Sequence, residues 1–185
     1  MEKRTMFGKN LRAAEETESP CILADFVVFG DTYDMGWGSY ERIDPHAFDS
    51  TLDGDIRALI DHETSMVLGR TKAGTLILWV DEYALRGKIY INADDRQAMD
   101  LYARVKRGDV NQCSFGFEIL REEREETSTG VMWTIKEVRL WEVSIVTFPA
   151  YTATSAVARS SAKSSKALND WKKRMKERIT HAETA

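Results

Sequence analysis

The sequence is short of cysteine and of long apolar runs, and each shortage excludes a class. Two cysteines, Cys21 and Cys113, cannot build the disulfide framework of a small secreted scaffold, nor a zinc site made of cysteine alone. No apolar stretch approaches the roughly 18 residues of a membrane span. The charged start MEKRTMFGKN leads into no apolar segment of a secretion signal. The expectation is a soluble, cytosolic protein. Walker loops, G-x-G-x-x-G turns and zinc-finger spacings are missing as well.

What is present is globular. Hydrophobic residues make up 43% and charged residues 30% of 185, which argues against a wholly disordered chain and for one domain with tails. A domain of roughly 150 residues buries about two-thirds of its unfolded surface, so a core forms without staples. The net charge of −4 is unevenly spread. From Arg159 onward there are eight Lys/Arg and three acids, leaving 18 basic against 27 acidic residues in the rest. A basic segment beside an acidic body suggests contact with something acidic, or simply a solvated tail.

Along the chain, residues 1–19 are polar and aperiodic and read as a disordered arm. The body then reads as about eight short strands. CILADFVVFG (21–30) is an apolar run, and DTYDMGWGSYERI a glycine-bearing loop or irregular hairpin. Asp44-Pro45 looks like the cap and first position of a short helix ending at Gly54. IRALID (56–61), TLILWVD (75–81) and LRGKIYI (85–91) are strands. A helix follows, started by Asp94 and Gln97, with Ala98, Leu101, Tyr102 and Val105 on one face and Gly108 as its stop. VNQCSFGFEIL (110–120), VMWTIKEV (131–138) and LWEVSIVTF (140–148) complete the strands, with the charged REEREETSTG as a loop. Residues 158–185 form a basic, Ser/Ala/Lys-rich tail in which 168–180 can make a helix. The fold class is mainly β with α (α+β): a mostly antiparallel β-barrel with helices outside it.

Three polar residues stand where packing alone would not put them. His62 follows the strand IRALID, Ser114 lies inside QCSFGF, and Glu142 interrupts the apolar LWEVSIV. A carboxylate inside an apolar strand is costly unless paired, with Arg139 as one available partner. Gly116 leaves bare backbone that another chain could approach closely. A hydroxyl, an imidazole and a carboxylate are also the parts of an acyl-transfer site. Serine needs a base to remove its proton; histidine does this near neutral pH, and a carboxylate fixes its tautomer. Ser144, on the face of Glu142, reads as a hydrogen-bonded core hydroxyl. Cys113 alternates to the opposite face and reads as buried, yet it is the alternative nucleophile if Ser114 points inward. Asp44, His46, Asp61, His62 and Glu63 remain a candidate metal cluster, although His62-Glu63 lacks the second histidine of a zincin helix.

The succession LADFVVFG, ERIDPHAFDSTL, ALIDHETSMVLGRT, YARVKRGDVNQCSFGFEI and LWEVSIVTFPAYTAT resembles the prohead (capsid-maturation) proteases of tailed bacteriophages, over about residues 21–157. The resemblance implies a protease domain at 20–157 with a herpesvirus-protease-like fold. His62 falls on the family's histidine, Ser114 on the serine of Ser-x-Gly-Phe, and Glu142 on the acid of Glu-Val-Ser. His46 competes as third member, because the herpesvirus relatives use a second histidine. The implied activity is a serine endopeptidase without cofactor or metal. Its implied substrates are the scaffold, the major capsid protein and itself, inside an assembling procapsid in the host cytoplasm. No membrane or nucleic-acid partner is expected, and a homodimer fits the herpesvirus analogy. A non-catalytic capsid-assembly module on the same fold, and a metal-dependent hydrolase, stand as the other readings.

Overall fold

The computed structural model describes residues 4–16 and 19–148. These form ten strands, one α-helix and two 3-10 turns, so the mainly β expectation holds. Residues 4–16 are not the irregular arm expected from their composition. They form β1 (Arg4–Glu16), which pairs antiparallel with β2 (Ser19–Val28) and β9 (Gln112–Thr127). Strand formation there draws on backbone hydrogen bonds to two neighbours, which hydrophobic periodicity does not report. The tail at 158–185, with its expected helix over 168–180, lies outside the described residues.

The remaining strands are β3 (Tyr33–Gly36), β4 (Ser39–Ile43), β5 (Arg57–Ile60), β6 (Glu63–Arg70), β7 (Leu76–Val80), β8 (Ala84–Tyr90) and β10 (Gly130–Val146). Their order is β3-β4-β10-β9-β1-β2-β8-β7, with β5 added to β10 and β6 to β5. Among the described residues these ladders make an open path, where a closed barrel ringed by helices was expected. Most pairs are antiparallel, but β10 also takes two parallel partners on one edge. Val131–Ile135 runs beside β4, and Glu142–Ile145 beside β5. That second contact brings the end of β5, and the turn after it, to the end of β10.

The core explains the layout. Phe26, Phe48, Phe115 and Phe117 are fully buried, and Phe115 stacks on Phe117 with ring centroids 4.9 Å apart. A Cβ at Gly87 would stand 2.5 Å from the Phe26 ring, so glycine there is what admits the aromatic side chain. The single described α-helix, α1 (Arg96–Arg107), buries Ala98, Leu101, Tyr102 and Val105 as its spacing predicts. Its cap is Asp95 rather than Asp94: the Asp95 carboxylate accepts from the backbone N–H of Gln97 and Ala98. Gly108, at φ 90°, closes it in the left-handed conformation that glycine adopts without penalty. The helix expected after Asp44 is only a 3-10 turn, Pro45–Phe48, capped by Asp44. The charged stretch expected as a loop instead continues β9 and leads into β10, with β4 on the other edge of β10 and Trp133 opposite Arg124.

Candidate active site

Strands β9 and β10 sort their side chains onto two faces. Cys113, Phe115 and Phe117 pair with Ile145, Val143 and Leu140 on the core face, all nearly or fully buried. Ser114 pairs with Ser144, and Gly116 with Glu142, on the other face. A bulge makes this possible. Leu140 faces Phe117 and Glu142 faces Gly116, which leaves Trp141 as an extra residue. Without it, strand alternation would put Glu142 on the face of Leu140, in the apolar core. The bulge therefore turns a carboxylate out of hydrocarbon and onto the face that carries Ser114.

His62 reaches the same place from β5. Ile60 pairs with Glu63, so Asp61 and His62 are the two central residues of a tight hairpin. Both have positive φ, 49° and 63°, as the I′ hairpin geometry demands. Such positions favour glycine or asparagine, and each non-glycine occupant costs on the order of 1 kcal/mol. The turn is nevertheless held firmly. The Asp61 backbone N–H donates to Ile145 O at 2.9 Å. Its carboxylate accepts from the Thr147 backbone N–H at 2.7 Å and from the Thr147 hydroxyl at 3.3 Å. The end of β10 thus fixes the turn that presents the imidazole.

The outcome is a short hydrogen-bonded chain. His62 Nδ1–H donates to Glu142 Oε1 at 2.8 Å, and the Ser144 hydroxyl donates to Glu142 Oε2 at 2.5 Å. A carboxylate can only accept, so Nδ1 carries a proton, and in the neutral ring the lone pair is on Nε2. Nε2 is buried and has no hydrogen-bond partner. An unpartnered buried acceptor costs about 1–3 kcal/mol. The geometry thus provides an imidazole oriented through Nδ1, with Nε2 unpartnered.

The structure brings His62 and Glu142 together and puts Ser114 on the face of Glu142, one strand away. It does not join Ser114 to the imidazole, because Nε2 accepts from no one. Ser114 is fully buried. Cys113 lies on the core face, a buried thiol outside any disulfide, whose Sγ–H donates to Asp25 O at 3.4 Å. His46 bonds Asp49 at 3.0 Å and is 83% exposed, so the partner of His62 is the glutamate and not a second histidine. Arg139 pairs with Glu118 rather than Glu142. Four of the five residues weighed as a metal cluster point to separate partners: Asp44 to Lys136 at 2.7 Å, His46 to Asp49, Asp61 to Thr147 and His62 to Glu142. No group of three His, Cys, Asp or Glu side chains converges among the described residues. Nor does any described helix have the length and apolarity to cross a membrane.

Sequence reasoning misread one part of this site and left the partner of another unnamed. Gly116 was expected to let another chain approach; instead the Glu142 carboxylate fills the space, and a Cβ there would meet Oε1. Ser144 is the hydrogen-bonded, buried hydroxyl expected on the face of Glu142; what the sequence did not name is its partner, the acid itself. The i, i+2 spacing of Glu142 and Ser144 was the available signal.

The fold and the site define a mainly β protein carrying a histidine–carboxylate pair at the joint of two parallel-paired strands. The chain matches the family model described as caudovirus prohead serine protease over residues 9–169. It belongs to that family, and is a peptidase of phage capsid maturation. A solved structure titled as the bacteriophage T4 capsid assembly protease, gp21, superimposes with a TM-score of 0.48 at 9% identity. The superposition covers 80% of this chain and 100% of that one. No curated protein matches the chain.

Proposed function

We propose that the chain is a serine endopeptidase in which Ser114 is the nucleophile, His62 the general base and Glu142 the group that orients His62. Nε2 of His62 takes the Ser114 proton as the oxygen attacks a peptide carbonyl. The imidazolium then protonates the leaving amine, and water, deprotonated by the same nitrogen, releases the acyl-enzyme. The observation that carries this reading is the Nδ1-anchored imidazole with a buried, unpartnered Nε2. Contact between Ser114 and Nε2 belongs to the substrate-bound state, since catalytic hydrogen bonds commonly tighten only there.

The substrates in this reading are scaffold and major capsid protein within the assembling procapsid of the host cytoplasm, and the chain itself; family membership supports them. A herpesvirus-protease-like fold and a homodimer belong to the same proposal, on the strength of the motif succession. The basic segment 158–185 then recruits the enzyme to scaffold or shell and is removed by self-cleavage. Full burial of Ser114 favours one second reading, a non-catalytic assembly module on this fold.

Intact-mass spectrometry separates the two. Wild type and Ser114→Ala are each incubated alone and with the cognate capsid and scaffold proteins. The enzyme reading expects fragments from wild type and none from Ser114→Ala. Intact wild type with its authentic partners leaves the assembly module; equal cutting by both forms removes Ser114 as nucleophile.

A further inference from the structure

Glu142 is held by more than its histidine. One carboxylate oxygen accepts from His62 and the other from Ser144, so both are engaged. A carboxylate bonded on both oxygens by groups from different elements has one orientation available. Ser144 is fully buried and lies two residues beyond Glu142, on the same face of β10. Gly116, directly across the ladder, closes the seat from the other side. Its missing Cβ would stand 2.3 Å from Oε1 and 3.1 Å from Cδ of Glu142, so any side chain there displaces the carboxylate. The acid therefore rests in a cradle made of one hydroxyl and one bare backbone.

We infer that Ser144 and Gly116 are positioning residues for the reaction: together they hold the Glu142 carboxylate where it keeps the proton on Nδ1 of His62 and the lone pair on Nε2. This rests on the catalytic reading above. Outer groups that orient a histidine's partner act on its tautomer as much as on its place. Without the Ser144 hydroxyl, the part-exposed carboxylate turns toward water and the imidazole loses its anchor. With a methyl at Gly116, the carboxylate is pushed off Nδ1 directly.

The test uses the full chain and two independent readouts. The first is the rate of covalent labelling by a fluorophosphonate, followed by intact mass, in wild type, Ser144→Ala, Glu142→Gln and the double variant. A residue acting through Glu142 gives a non-additive cycle. Ser144→Ala is expected to slow labelling about tenfold or more in the wild-type background, and less than about twofold once Glu142 is glutamine. Slowing by the same factor in both backgrounds, or no slowing, overturns the inference. The second readout is the proton NMR signal of His62 Nδ1–H, assigned by its loss in His62→Gln. It is expected in wild type and missing from Ser144→Ala and Gly116→Ala, with thermal melts showing that both are folded. If wild type takes no label at all, the serine-enzyme reading fails by itself and the proton signal decides the positioning claim. Its loss in the variants upholds the cradle; its persistence in either folded variant overturns it.

Discussion

At the scale of single residues, the site is assembled from positions that a stability-minded chain would fill differently. Asp61 and His62 occupy a left-handed turn without glycine, and His62 keeps a buried nitrogen without a partner. Strain and unmet hydrogen bonds of this kind gather where function needs them. Asp61 offsets part of the strain through its bonds to Thr147. Asp61→Ala loses those bonds and keeps the positive φ, so it is expected to cost about 1–2 kcal/mol. Asp61→Gly loses the same bonds but relieves the backbone, and should cost less by roughly 0.5–1 kcal/mol. Urea unfolding of the two variants checks the order; alanine more stable than glycine would contradict the turn geometry.

At the scale of elements, the sequence was readable wherever a side-chain period reported the structure. The face of α1 and the apolar strands β2, β5, β7 and β8 follow their patterns closely. It was unreadable where backbone pairing or cross-strand charge decided the outcome. The polar β1 and the Glu/Arg-rich ribbon of β9 and β10 have no such period. His62, Ser114 and Glu142 stood out as misplaced polar residues, whereas the Trp141 bulge and the Gly116 cradle depend on register that one strand's sequence does not contain.

A second element-scale contact has a pH signature. Asp44 caps the 3-10 turn Pro45–Phe48 and pairs with Lys136 of β10 at 2.7 Å. The hydrogen bond from Lys136 is the main cause that holds the Asp44 carboxyl below its ordinary value. A depressed folded-state value means stability that is present above the unfolded value, about 3.9, and lost as pH falls through the folded one. Lys136→Met is therefore expected to be less stable than wild type at neutral pH, with the gap narrowing as acid protonates Asp44. Denaturant melts at about pH 7 and about pH 3 measure this; an unchanged gap would deny the pair its role.

At the scale of the whole molecule, strands distant in sequence are brought together so that one face collects the residues of the proposed site. The long β10 provides the acid and pairs with β9, which carries Ser114; the parallel pairing with β5 delivers His62. The core on the opposite face, with Phe115, Phe117, Val143 and Ile145, holds these strands in register. In Ser114-Phe115-Gly116-Phe117 the two phenylalanines are thus core residues, and the serine and glycine that alternate with them take the other face.

The most direct measurement is to map where a fluorophosphonate attaches to the full chain, in wild type and in His62→Gln. The account predicts one adduct on wild type, located by peptide mapping at Ser114, and labelling at least about a hundredfold slower without the imidazole base. An adduct at Cys113 or elsewhere, or equal labelling with and without His62, would contradict it.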